Sequence, residues 1–358
     1  IQLFQILNVE AKMIVRSLNI RIMKQAHSFV CLFPALCSLL LLGGCSREEP
    51  PELRMAVEFM DHAAAAYVAL DKGWFAEAGC RVASCESYVT GMALSAALAR
   101  GEVQAAYICL IPALNAAANA GVDLRIVAGT HQYGYGLVVH PDRVRTVRDL
   151  EKPGLRIGCV REGGSVDVLL HRVMHDYGLD PQAILPQVRR MNPPKQVMAI
   201  RTGRLDAAFL PEQWASIAED EGFRMLLTAR DVWPSMQGSV LVVTRQLCEA
   251  SPEVVNTLVQ VNQKATDWIN KHPEETATLL AGRFSLTDGQ AFSEQVSAHL
   301  RTIEVSSRIL QRSMQRIRFT TAIQEEAVQE VIDVLADLDY IKQDFKAADI
   351  LDLRFQSQ

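Results

Sequence analysis

The residues of this chain best suited to chemistry sit in four short turns. "MDHAAAA" puts His62 ahead of four alanines, and "YVTGMA" puts Thr90 and Gly91 ahead of a helix-forming run. "REGGS" supplies Glu162, Gly163, Gly164 and Ser165, and "LPEQW" supplies Glu212, Gln213 and Trp214. A turn that feeds a helix offers unpaired backbone N–H groups and a partial positive charge, which is chemistry for holding a small ligand. Gly163 and Gly164 let a ligand approach the backbone closely, and Ser165 can cap its helix or donate to the ligand. His62 can donate to an anion, and Trp214 can stack on a flat ring. Glu162 and Glu212 act the other way: facing a cleft, they favour an amine or a donor-rich heterocycle. Arg161 is the one basic residue in these turns.

Bond-breaking chemistry finds no support. The sequence has no GxSxG, HExxH or GxxxxGK[ST] pattern, so we expect no enzyme and no cofactor. It has no CxxC or histidine spacing of a metal site, so we expect no metal. Besides Cys45, the cysteines beyond the leader are Cys80, Cys85, Cys109, Cys159 and Cys248, an odd number that argues against a disulfide framework. With "CRVASC" extended, Cys80 and Cys85 lie about 16 Å apart, beyond disulfide reach.

The elements that must position these turns alternate. "LRMAVE" reads as a strand, "AAAAYVALDKGWF" as a helix with a glycine stop, "RVASCES" as a strand, and "GMALSAALARG" as a helix closed by Gly101. "VQAAYI", "IPALNAAANAG" and "LRIVAG" continue as strand, helix, strand, which is α/β construction. The pattern then recurs. "LRMAVEFMDH" from Leu53 is echoed by "LRIGCVREGG" from Leu155, and "ALARGEVQAAYI" from Ala97 by "AIRTGRLDAAFL" from Ala199, both at an offset of 102 residues. Two echoes in one register predict two similar lobes.

The breaker pair Trp233–Pro234 precedes a β-branched run, and from Ser251 the pattern turns helical, with Val254, Leu258, Val261 and Ala265 on one face. We therefore expect a discontinuous first lobe, residues 53–136 and 231–358, and a second lobe, 137–230, joined by two crossings that make a hinge around a central ligand cleft. A stripe of Val328, Val331, Ile332 and Leu335 predicts a packing helix with a solvated acidic face.

The start of the chain addresses location. The apolar run from Phe29 to Leu42 is fourteen residues with Pro34 inside, short of the about 20 that a spanning helix needs. Behind Arg21, Met23 and Lys24 it has the anatomy of a secretory signal. The chain opens on Ile1, so residues 1–22 read as upstream of a start at Met23. Leu42-Gly43-Gly44-Cys45 resembles the lipobox of bacterial lipoproteins, which implies lipidation of Cys45, with 1–44 removed and 45–52 as a tether. Residues 1–44 carry four basic residues and one acidic, so the remaining 314 residues hold −8 of the overall −5. A body that acidic is a poor partner for phosphate backbones, so we expect no nucleic acid.

"AYVALDKGWFAEAG", "GEVQAAYI", "GVDLRIVAG", "LRIGCVREGGS" and "GRLDAAFLPEQWA" resemble the bacterial ABC-transporter substrate-binding proteins of the nitrate, sulfonate, taurine and thiamine-precursor group, over roughly residues 53–280. The resemblance implies a two-lobed, periplasmic-binding-protein-like fold of type II. It implies capture of a small solute by hinge closure on the outer side of a membrane, with delivery to an ABC permease and its ATPase. It puts ligand contacts at His62, Thr90–Gly91, Gly164–Ser165 and Glu212. Two alternatives keep the fold: a binder of a thiamine-pyrimidine or riboflavin-like precursor, and an envelope sensor that presents its ligand to a receptor.

Overall fold

The alternation read from the sequence builds two sheets. The computed structural model describes residues 52–285, 297–298, 301–341 and 345–356. The leader, Cys45 and the tether up to residue 51 lie outside the described residues.

In chain order the strands are β1 (Leu53–Glu58), β2 (Val82–Tyr88), β3 (Ala105–Cys109), β4 (Leu124–Tyr133), β5 (Tyr135–Val139), β6 (Ile157–Cys159), β7 (Val188–Arg190), β8 (Ala207–Pro211), β9 (Arg224–Thr228), β10 (Gln237–Thr244) and β11 (Ile317–Phe319). The first sheet has the order β11-β4-β10-β3-β1-β2 and the second β7-β6-β8-β5-β9. Apart from β11 they are one topology twice. β1 runs parallel to β2 and β3, as β6 does to β7 and β8, and the next strand outward, β10 or β5, is antiparallel to its neighbours.

The 102-residue echo is a register of backbone pairing. Met55 pairs with Ala105 and Ala56 with Ala106, while Ile157 pairs with Ala207 and Gly158 with Ala208. Each residue of the second set stands 102 positions after its counterpart. Both faces of each sheet are covered: along β8, Ala208 and Leu210 join one apolar cluster, and Ala207 and Phe209 the other. That double burial is why β3 and β8 are uniformly buried rather than alternating.

Three helices at strand ends matter below: α1 (Gly91–Ala99), α2 (Leu110–Ala120) and α3 (Ser165–Asp176). In the helix Pro252–Lys271 the stripe Val254, Leu258, Val261 and Ala265 is buried, and in Glu325–Asp337 so are Val328, Val331, Ile332 and Leu335. No helix among the described residues is long and apolar enough to cross a membrane. The five cysteines beyond the tether are free thiols.

The chain passes from the first sheet to the second through Tyr133 (φ 63°) and Gly134 (φ 88°) in succession. A tyrosine in the left-handed region costs about 1–2 kcal/mol, and here its hydroxyl donates to Pro234 O at 3.1 Å on the returning segment. Position 134 needs glycine twice over, because a Cβ there would also meet His62 Nε2 at 2.7 Å.

At the start of β8, Asp206 accepts from the Arg156 backbone N–H and guanidinium, each at 2.9 Å, with Arg143 at 3.4 Å. Burial alone would raise this carboxyl, but these partners outweigh it and hold the pKa below the usual value of 3.8. A lowered folded pKa contributes stability that is present above the unfolded value and lost as pH falls through the folded one. The advantage of the wild type over Asp206→Asn therefore shrinks below about pH 4. Thermal unfolding between neutral and acid pH checks this, and a pH-independent difference would refute it.

Candidate functional site

Between the strand ends of the two sheets lies a cavity of about 610 Å³, a usual size for a small-molecule site. Each sheet supplies the same structural positions to its wall. Glu58 ends β1 and Val160 follows β6, Cys109 ends β3 and Pro211 ends β8, and Thr90–Gly91 stand opposite Asn192–Pro193; all line the cavity. Every one of these pairs is 102 residues apart. Thr90 and Asn192 even do the same job, each side chain capping its helix by accepting from the backbone N–H of Ala93 at 3.3 Å or Lys195 at 3.0 Å.

Local sequence explains how the turns reach the cavity. Thr90 is extended and caps α1, so Gly91 opens the helix against the floor. A Cβ on Gly91 would collide with Glu58 Oε1 and come within 2.6 Å of Pro112 Cγ, so only glycine lets the Glu58 carboxyl lie there. Gly164 is the cap residue of α3 and Ser165 its first helical residue. The Ser165 Oγ is buried beside the Tyr135 hydroxyl, with no hydrogen bond of ordinary geometry. Tyr135 OH itself donates to Gly238 O at 3.1 Å. From α2, Asn115 Nδ2 donates across to Gly163 O at 2.9 Å, tying the two sides together.

The electrostatics divide the cavity. On the first-sheet side, burial pushes the Glu58 carboxyl up to about 7, against hydrogen bonding from Cys109. The Cys109 thiol donates to Glu58 Oε2 at 2.7 Å, and burial and then the Glu58 charge push that thiol well up. Glu58 Oε1 is buried with no partner. On the second-sheet side are Arg161, which is exposed, and Arg190, which pairs with Asp167 and, at 3.7 Å, with Glu162. Met60, Met92 and Met191 complete a largely apolar wall.

Of the residues expected from sequence, Thr90, Gly91, Gly164 and Ser165 line the cavity together. The others do not. His62 lies behind Cys109: its Nε2 donates to Gly134 O at 2.7 Å, and burial holds its pKa down to about 4. It is neutral and already bonded, so it is not the anion donor read from sequence. Gly163 is engaged with Asn115 through its carbonyl and with Asp167 through its N–H. Glu162 is exposed beside Arg190. The Glu212 carboxyl points to Arg316 Nη1 at 2.9 Å. Trp214 is fully buried in the core, apart from the cavity wall.

Sequence reading missed Glu58, Cys109 and the turn Arg190–Pro193. β7 is three residues long and carries no visible strand pattern. The repeat would have revealed the turn, since adding 102 to Thr90 gives Asn192.

The model of the NMT1-like family matches residues 46–283. No curated protein matches the sequence significantly. Among solved structures, the alkanesulfonate-binding protein SsuA from Xanthomonas axonopodis pv. citri, bound to MOPS, superposes with a TM-score of 0.68 at 20% identity, covering 85% of this chain and 99% of that one. The periplasmic nitrate-binding protein NrtA from Synechocystis PCC 6803 gives 0.64 at 13% identity, covering 82% and 83%. The CA3427 gene product of Candida albicans, described as having the generic periplasmic binding protein fold, gives 0.62 at 12% identity, covering 84% and 96%. At these identities the likeness establishes the fold: this chain has the periplasmic-binding-protein architecture.

Proposed function

Because the chain belongs to the NMT1-like family, we propose that it is the extracytoplasmic solute-binding component of an ABC importer. It captures a small molecule in the cleft and delivers it to a permease, without chemical change. The second lobe carries the second sheet, from Tyr135 at the start of β5 to the helix Ala229–Val232, a few residues wider than the 137–230 read from sequence, and the first lobe carries the rest of the body; Cys45 carries a lipid anchor once residues 1–44 are removed. The observation that carries this reading is the cavity itself, lined by equivalent turns of two sheets that are joined through Tyr133–Gly134 and the returning segment at Pro234. A ligand touching both walls favours the closed arrangement by its extra affinity for it.

The sulfonate- and nitrate-binding neighbours support a small oxyanion, which the first turn of α3, Ser165 and Arg161 suit. A second reading has its own observation. The partnerless Glu58 Oε1 and the methionine wall suit a flat heterocycle carrying a hydrogen-bond donor.

A thermal-shift screen against sulfonates, taurine, nitrate and pyrimidine or flavin rings separates the two. A ligand at 100 times its dissociation constant adds about 2.7 kcal/mol. A shift with oxyanions alone supports the first reading, and one with rings alone the second. Small-angle scattering then tests closure: the radius of gyration falls on binding, and an unchanged radius with saturating ligand overturns the hinge.

A further inference from the structure

The floor of the cleft holds three groups that solute capture does not use together. Glu58 ends β1, Cys109 ends the neighbouring β3, and His62 sits in the turn after β1. One donor atom from each lies within 4.8 Å of the other two, and all three residues are buried. Local spacing hid this set, because its members come from two separate stretches of chain.

Three observations go beyond proximity. The first is orientation. Gly134 O can only accept, so His62 Nε2 carries the ring proton and Nδ1 turns its lone pair toward Cys109 Sγ, 3.7 Å away. A backbone carbonyl fixing one ring nitrogen so that the other faces a soft donor is how proteins orient metal-ligating histidines. The His131 ring, its centroid 4.3 Å from that of His62, helps hold the plane. The second is charge. A carboxyl and a thiol share this buried place, and among the described residues no cation pairs with Glu58. Ionised together, their two negative charges match the charge of a divalent cation. The third is access. Glu58, with its partnerless Oε1, and Cys109 both line the ligand cavity, leaving a side open.

We propose that Glu58, His62 and Cys109 form a binding site for a borderline-soft divalent transition metal of the zinc class, with a fourth position open to the cleft. Donors around tetrahedral zinc stand about 3.5 Å apart. The His62–Cys109 separation of 3.7 Å already fits. The Cys109–Glu58 separation of 2.7 Å opens by about 0.8 Å once the bridging thiol proton leaves. Metal entry releases that proton, and the carboxyl proton where it is present, to solvent. The open position takes water or an oxygen or nitrogen donor of a small ligand. The site stands independently of the importer reading, since a metal-free cleft can still bind solute.

Cobalt titration of the metal-stripped protein tests it. The expected result is a near-ultraviolet thiolate-to-cobalt absorption that saturates at equimolar metal and is bleached by zinc. Cys109→Ser removes the band, and Glu58→Gln and His62→Asn each weaken binding about tenfold or more. No band in the wild type at large cobalt excess, or a band that survives in Cys109→Ser, overturns the proposal. If Cys109→Ser does not fold by circular dichroism, X-ray absorption of the wild-type zinc form decides: it must show a sulfur neighbour at about 2.3 Å, and its absence overturns the site.

Discussion

Arg316→Ala is expected to cost about 3–5 kcal/mol at pH 8, because it strands a buried carboxylate. Arg316 donates to Glu212 Oε1 at 2.9 Å and to both oxygens of Glu219 at 2.9 and 3.0 Å, and the Glu212 side chain is fully buried. It is one rung of a ladder. Arg308 and Arg312, eight and four residues earlier, pair with Asp220 at 2.9 and 2.8 Å, and Arg312 also donates to Ser216 O. The outermost rung, Arg308, is exposed and contributes little.

The effect has a pH signature. Burial pushes the Glu212 carboxyl up to about 7 despite the pull of Arg316. A carboxyl with a raised folded pKa contributes most below its unfolded value, 4.5, and its contribution is lost as pH rises through the folded one. Without Arg316 the folded pKa rises further, so the deficit is smallest near pH 4.5 and grows toward pH 8. Adding Glu212→Gln to Arg316→Ala recovers part of the loss. Urea unfolding across that range measures both, and a deficit that ignores pH would refute the buried pairing.

Ser165→Trp is expected to abolish ligand binding while the protein stays folded. Ser165 opens α3 with its hydroxyl at the cavity, and an indole there fills the space a ligand would share with Thr90 and Gly91. Affinity should fall about 100-fold or more, some 2.7 kcal/mol, whereas Ser165→Ala loses only one hydrogen bond, about 1 kcal/mol. Calorimetry with the screened ligand, alongside circular dichroism, reads both. Undiminished affinity in the tryptophan variant would remove this turn from the site.

Much of this architecture was legible because it rests on local pattern. Strand and helix periods gave the alternation, and echoes at Leu155 and Ala199 gave a duplicated unit whose backbone register the sheets share. Thr90, Gly91, Gly164 and Ser165 were reachable because strand-to-helix turns carry their own signature of glycine and hydroxyl residues. The rest depends on distant partners. Glu212 looked like a cleft carboxylate until Arg316, 104 residues away, took it. His62 looked like a donor until Gly134 claimed its proton. Glu58 and Cys109 meet only because β1 and β3 are neighbours, and a residue that closes a strand reads as part of that strand.

The matched wall positions carry a further consequence, for how such a protein changes over generations. In a cleft formed by two copies of one chain, a substitution alters both walls together. Here position 58 is an acid while 160 is valine, and 109 is a cysteine while 211 is proline. Joined in one chain, the halves mutate independently, so one wall can acquire new chemistry while the other keeps its grip on the rest of the ligand.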